Sequence, residues 1–206
     1  MKKLFICSIP MRGKGLKNLD YYTDKDEFLL NSAFPSIVLL NKYVNEDDRP
    51  EDISIVTIRD DCENSTINNE RFLEELKDLS ASKNISLEVS NEIVFPHNES
   101  QAKHLTIFKS LFEIYSAQAE GCKLYADMTY GTKVTSAELV ASLSFSETKG
   151  IKTEDLCYGF YDHSIKDNNQ GIFYSIRYVF DLINLINTTS RFMGAEKVEE
   201  IIKGLI

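Results

Sequence analysis

The chain has 206 residues, 43% of them hydrophobic and 27% charged, a size and balance that suit one α/β domain with a substantial core. No apolar run approaches the ~20 residues that a helix needs to cross a bilayer. The net charge of −9 disfavours binding to long nucleic acid.

Lys2 and Lys3 followed by Leu4–Ile9 are too short for a signal peptide and read as a buried first strand, so the chain is expected in the cytoplasm. A long polar loop follows, from Pro10 to about Asp26, carrying Arg12, Gly13, Lys14 and Gly15. Loops of that length inside compact domains are frequently functional. Residues 1–19 hold five cations and no acid, so the remaining residues sum to −14 against the whole-chain −9. A basic patch after the first strand of an acidic body suits a small anionic ligand; a solvated basic loop reads the same way.

Phe34–Tyr43 reads as a helix with a proline near its first turn. Ile53–Ile58 is the second strand, and Asn68 to about Ser82 an amphipathic helix. A third strand lies within Ile85–Phe95. Asn98 to Gln101 reads as an N-cap and capping-box glutamine, opening a helix with Leu105, Phe108, Leu111, Phe112 and Tyr115 inward. Lys123–Met128 is the fourth strand, and its helix runs from about Lys133 to Ser146. Glu154–Tyr161 and Gly171–Arg177 form an antiparallel hairpin. Tyr178–Asn187 is a helix apolar over much of its circumference, which the core or a partner subunit must cover. Residues 1–192 form the domain, and 193–206 add a short amphipathic helix, a dimer contact or a linker remnant.

Four strands alternating with helices and closed by a hairpin indicate an α/β, Rossmann-like fold, a mostly parallel sheet flanked by helices. Ligands of such sheets bind at the carboxyl ends of the strands where the strand order reverses. With the order 3-2-1-4, the loop after strand one and the turn after strand four are neighbours. That turn is Asp127-Met-Thr129-Tyr130-Gly131-Thr132-Lys133. A strand that turns through glycine into a helix start leaves backbone N–H groups free, and Lys133 stands beside them. The same residues also describe an ordinary turn with a capping threonine.

Set on the fourth strand of such a chain, this heptad resembles the signature of CRISPR-associated Rossmann-fold (CARF) sensor domains. The likeness extends to Ser8–Gly13 after the first strand and to the helix beginning at Phe34-Pro35, about residues 1–190 in all. In the commonest family form asparagine stands at Asp127 and glycine at Tyr130; one branch has an aspartate and a bulkier residue. The resemblance implies a homodimer in type III CRISPR antiviral defence that binds a cyclic oligoadenylate, the tetra- or hexa-adenylate ring, across its two-fold axis. Some members also open the ring slowly without metal; any catalysis by this chain is expected to be such an opening, leaving a 2′,3′-cyclic phosphate.

The expected ligand-binding residues are Ser8, Ile9, Pro10, Met11, Arg12, Gly13, Thr129, Tyr130, Gly131, Thr132 and Lys133. Lys133, Ser8 and Thr129 are the candidates for ring opening, with Lys133 facing the developing charge. Tyr130 either stacks on adenine or packs beneath the turn. Asp127 would repel a phosphate, so it is expected to point away and brace the turn. No metal or cofactor is expected: Cys7, Cys62, Cys122 and Cys157 are scattered without a C-x-x-C pair, and His97, His104 and His163 show no ligand spacing. No R-x(4–6)-H ribonuclease motif or nuclease carboxylate cluster appears. A Rossmann-like enzyme or binding module for another nucleotide is the alternative, although no G-x-G-x-x-G follows the first strand and no Walker A sequence is present.

Overall fold

Lys3–Ser8 is buried along its whole length, as a strand must be when helices cover both faces of a parallel sheet. The computed structural model describes residues 1–11, 16–98, 100–162 and 169–193. In chain order the first elements are β1 (Lys3–Ser8), β2 (Leu19–Tyr22), β3 (Phe28–Ser32), α1 (Pro35–Tyr43), β4 (Ile53–Asp60) and α2 (Glu63–Lys83). They are followed by β5 (Val89–Phe95), α3 (Gln101–Ser116), β6 (Lys123–Asp127), α4 (Lys133–Thr148), β7 (Lys152–Tyr161), β8 (Gln170–Ser175) and α5 (Arg177–Met193).

One eight-stranded sheet has the order β3-β2-β8-β7-β6-β1-β4-β5. Five of these strands, from β7 to β5, are parallel neighbours, and β8 returns antiparallel to β7. The expected order of the first four crossover strands and the expected hairpin are both present. The chain is therefore a mixed α/β fold of Rossmann-like form.

Alternation along β1 divides the core between the two faces. Phe5 and Cys7 join Phe34, Leu39, Phe72 and Tyr125 under α1 and α2. Leu4 and Ile6 join Ile107, Leu111, Leu139, Leu143 and Phe180 under α3, α4 and α5. The serine-rich helix α4 lies close because Ser142 and Ser146 are buried, each hydroxyl donating back to a carbonyl one turn earlier.

Several expectations change. The segment expected as a long polar loop contains β2 and leads into β3, a hairpin that extends the sheet beside β8. Its pattern is short, with only Leu19 and Tyr21 turned inward, and the strand exists because β8 presents an edge to it. In α3 the buried stripe is Lys103, Ile107, Leu111 and Tyr115, whereas Leu105 is 62% exposed and Phe112 40%. Phe112 stacks instead on Phe145 of α4, with ring centroids 3.5 Å apart. The cap of α3 is Ser100, whose hydroxyl accepts the Lys103 N–H, rather than Asn98.

Helix α5 is longer than expected and exposes Tyr178, Val179, Leu182, Ile183, Leu185, Ile186 and Phe192. The terminal helix expected after residue 193 lies outside the described residues, as do Arg12 and Gly13. Among the described residues no helix is long and apolar enough to cross a membrane.

Candidate functional site at the ends of β1 and β6

The strand order reverses at β1, which pairs with β4 on one side and β6 on the other. The crossover helices on either side of that point lie on opposite faces, and their divergence opens a crevice at the strand ends. The end of β1, the Asp127–Lys133 turn and the start of α4 meet there. Ser8 Oγ donates to the Asp127 carbonyl at 2.8 Å, joining the two strand ends directly.

Asp127 is wholly buried and holds the turn together. Its Oδ1 accepts the Thr129 N–H at 2.8 Å and the Thr129 hydroxyl at 2.5 Å, and its Oδ2 accepts the Ser36 hydroxyl at 2.5 Å. Burial pushes its carboxyl above the usual range, while the Ser36 and Thr129 donors pull it back. Asp127 thus points inward and braces the turn. Sequence reasoning missed Ser36, because nothing near Pro35 signals that the first turn of α1 meets the end of β6.

The hydroxyl hydrogens of two candidate catalytic residues serve this brace. Thr129 Oγ1 donates to Asp127 and accepts the Gly159 N–H at 2.8 Å, and Ser8 is only 4% exposed. Their hydroxyls hold β1, β6 and β7 in register, so a part for Ser8 and Thr129 in ring opening would require their release from the brace. Ile9 and Pro10 are buried as well. The Ile9 N–H donates to Ile58 O, and Pro10 O accepts from the Asn68 amide at 2.9 Å. Neither backbone group is turned outward, while Met11 is partly exposed.

Tyr130 packs partly buried against the α1–α2 side of the core, and its hydroxyl donates to Ala33 O at 3.0 Å. That is the packing role under the turn; a stacking role would require the ring to swing out. Thr132 caps α4 by accepting the Thr135 N–H at 3.2 Å, so the capping reading holds for this residue.

Gly131, Lys133 and the start of α4 remain open. Gly131 and Lys133 are exposed, and no described acidic group pairs with the Lys133 ammonium. The first N–H groups of a helix have no partner within it, and here they share the crevice with that ammonium. Gly131 adopts φ +114°, a conformation that L-residues rarely take. An added Cβ would meet Thr135 Cβ at 3.4 Å, ordinary contact, so the cost of Gly131→Ala is conformational. It is expected to exceed about 1 kcal/mol, read as a lower denaturation midpoint. Two surface depressions among the described residues border β5, away from this turn. The site is an open strand-end face.

No family model matches the chain, and no curated protein matches it. Among solved structures, the tetrameric inhibited form of phosphofructokinase-2 from Escherichia coli is similar, with a TM-score of 0.37 and 11% identity. The match covers 74% of this chain and 53% of that one, so the chain spans about half the length of that kinase. A likeness this distant carries no argument about ligand or activity.

Proposed function

We propose that the chain binds a cyclic oligoadenylate, as the tetra- or hexa-adenylate ring, at the strand-end face of a two-fold homodimer. This is the role that the resemblance to CARF domains implies within type III CRISPR defence. The observation that carries the reading is the exposed Lys133, unpaired among the described residues, beside the open N-terminus of α4 at the point where strand order reverses. A helix N-terminus with an adjacent ammonium suits a phosphodiester, and a two-fold axis repeats the pair around a ring.

The exposed apolar face of α5 supplies the surface such a dimer would bury. Leu182, Ile183, Leu185 and Ile186 are 36–38% exposed, and α5 is tied to α4 through Asn184, which bonds Ser144 and Glu147. Substituting Leu182→Glu is expected to shift a dimer toward monomer in sedimentation at micromolar concentration, since a charge in an apolar contact loses its hydration. A wild-type monomer under those conditions would remove the dimer from the proposal.

Calorimetric and thermal-shift titration with both rings tests the binding itself. Heat and a raised melting temperature with at least one ring are expected, and silence with both overturns the reading. Mass spectrometry of ligand retained after purification separates this proposal from a site for another nucleotide.

Ring opening needs an in-line 2′-hydroxyl and donors for the charge that develops. With the hydroxyls of Ser8 and Thr129 committed to the turn, Lys133 is left of the three candidates. Bound cyclic tetra-adenylate is therefore expected to stay intact over hours in excess EDTA, followed by chromatography. Linear product in that time would show that the brace opens on binding.

A further inference from the structure

A second group of polar residues gathers at the carboxyl end of the sheet, on the other side of β1. Asp60 ends β4, Cys62 is the N-cap of α2, and His97 follows β5. One ligand atom from each of the three lies within 4.8 Å of the others. Asp60 Oδ1 lies 2.8 Å from His97 Nδ1 and accepts the Cys62 N–H at 2.9 Å. Asp61 Oδ1 accepts the His97 N–H at 2.7 Å, which fixes the backbone that carries the imidazole.

The other oxygen of Asp60 is the informative one. The residue is 0% exposed, and Oδ2 has no hydrogen-bond partner among the described residues. A buried carboxylate oxygen without a donor loses its hydration and gains nothing in return, at a cost of kilocalories per mole. A cation held between this carboxylate, the thiol of Cys62 and the imidazole of His97 would supply the missing partner.

We propose that Asp60, Cys62 and His97 form a binding site for a divalent ion of the zinc class. Mixed oxygen, sulfur and nitrogen donors favour zinc over magnesium or calcium, which take oxygen ligands. In a tetrahedral zinc site, donor atoms stand about 3.3–3.8 Å apart, given bond lengths near 2.0–2.3 Å. The three ligand atoms, within 4.8 Å of one another, would close to this spacing around the ion, with the His97–Asp60 hydrogen bond exchanged for metal bonds. His97 is 67% exposed, so the fourth position faces solvent and takes water or a small anion. Asp60 and Cys62 are two residues apart while His97 joins them through the β4–β5 pairing, a spacing unlike the short C-x2–4-C and H-x3–5-H runs of zinc fingers. This inference is independent of the ring-binding proposal, because none of its residues belongs to the β6–α4 turn.

Titration of the full chain with cobalt(II) under reducing conditions tests it. The expected result is one equivalent bound, with a thiolate-to-cobalt charge-transfer band and the intense visible bands of a tetrahedral ion. Zinc should displace the cobalt and abolish the bands. Cys62→Ser should remove the charge-transfer band, and His97→Ala should weaken binding at least about tenfold, the lower end of what losing even a supporting residue costs. Both positions are partly or largely exposed, so these variants should fold; circular dichroism checks this, whereas Asp60→Asn disturbs a buried residue. Absence of both sets of bands at stoichiometric cobalt overturns the proposal. So does a charge-transfer band that survives Cys62→Ser, which would assign the thiolate to another cysteine.

Discussion

Replacing Asp127 with alanine should lower the stability of the chain by at least about 3 kcal/mol, because it strands three buried or half-buried donors at ~1 kcal/mol or more each. Those donors are the Ser36 hydroxyl and the Thr129 hydroxyl and N–H. The Asp127 side chain joins the first turn of α1 to the β6–α4 turn, and its own carbonyl takes the Ser8 hydroxyl from β1. Denaturant unfolding should show a lower midpoint with an unchanged slope. A loss below about 1 kcal/mol would mean that the carboxyl does not hold the turn.

The same residue gives a pH signature with a definite sign. Burial raises the folded-state pKa of Asp127 above the unfolded value of about 3.9. The native state then keeps this proton over a range in which the unfolded chain has released it. The contribution of Asp127 is full below the unfolded pKa and declines as pH rises through the folded one. Asp127→Asn should flatten that part of the stability profile, read as the difference between the two proteins over an acidic pH series.

Loss of Lys133 should have the largest effect on ligand binding. Lys133→Ala is expected to weaken ring affinity by roughly 1.5–3 kcal/mol, the range for a hydrogen bond to a charged group. Stability should hardly change, because the side chain is exposed and has no partner among the described residues. This contrast separates Lys133 from Asp127: one substitution moves binding alone, the other moves folding first. Wild-type affinity should also fall with added salt, and by less in the variant, since one screened attraction has been removed. Unchanged affinity in Lys133→Ala would move the ligand away from the β6–α4 turn.

The strongest local signals survived in three dimensions. The apolar run of β1, the Gly131 break and the small-residue helix after it each encode their conformation within a few neighbours. From them follow the α/β class, the parallel order of the crossover strands and the meeting of the first and fourth strand ends. The inward orientation of Asp127 agrees with its expected bracing role, since its carboxyl takes donors from Ser36 and Thr129.

Whatever depended on distant partners was hidden. The β2–β3 hairpin has too little alternation to stand alone, and it forms because β8 leaves an edge to be paired. Helix α3 could present several apolar stripes; packing against α4 selected Ile107, Leu111 and Tyr115, and turned Phe112 onto Phe145. Ser8 and Thr129 have the same hydroxyls whether they face a ligand or the fold. The Ser8 hydroxyl is directed by the distant Asp127 carbonyl, and the Thr129 hydroxyl by the neighbouring Asp127 carboxylate together with the distant Gly159 N–H. The Asp60–Cys62–His97 group likewise has no sequence spacing to announce it, because the parallel pairing of β4 with β5 brings His97 across. Local propensity and periodicity thus determined the crossover strands, their helices and the β7–β8 hairpin, but not the β2–β3 hairpin. The direction of each polar side chain at the strand ends was set by which donors and acceptors the folded sheet placed opposite it, and only the tertiary structure holds that information.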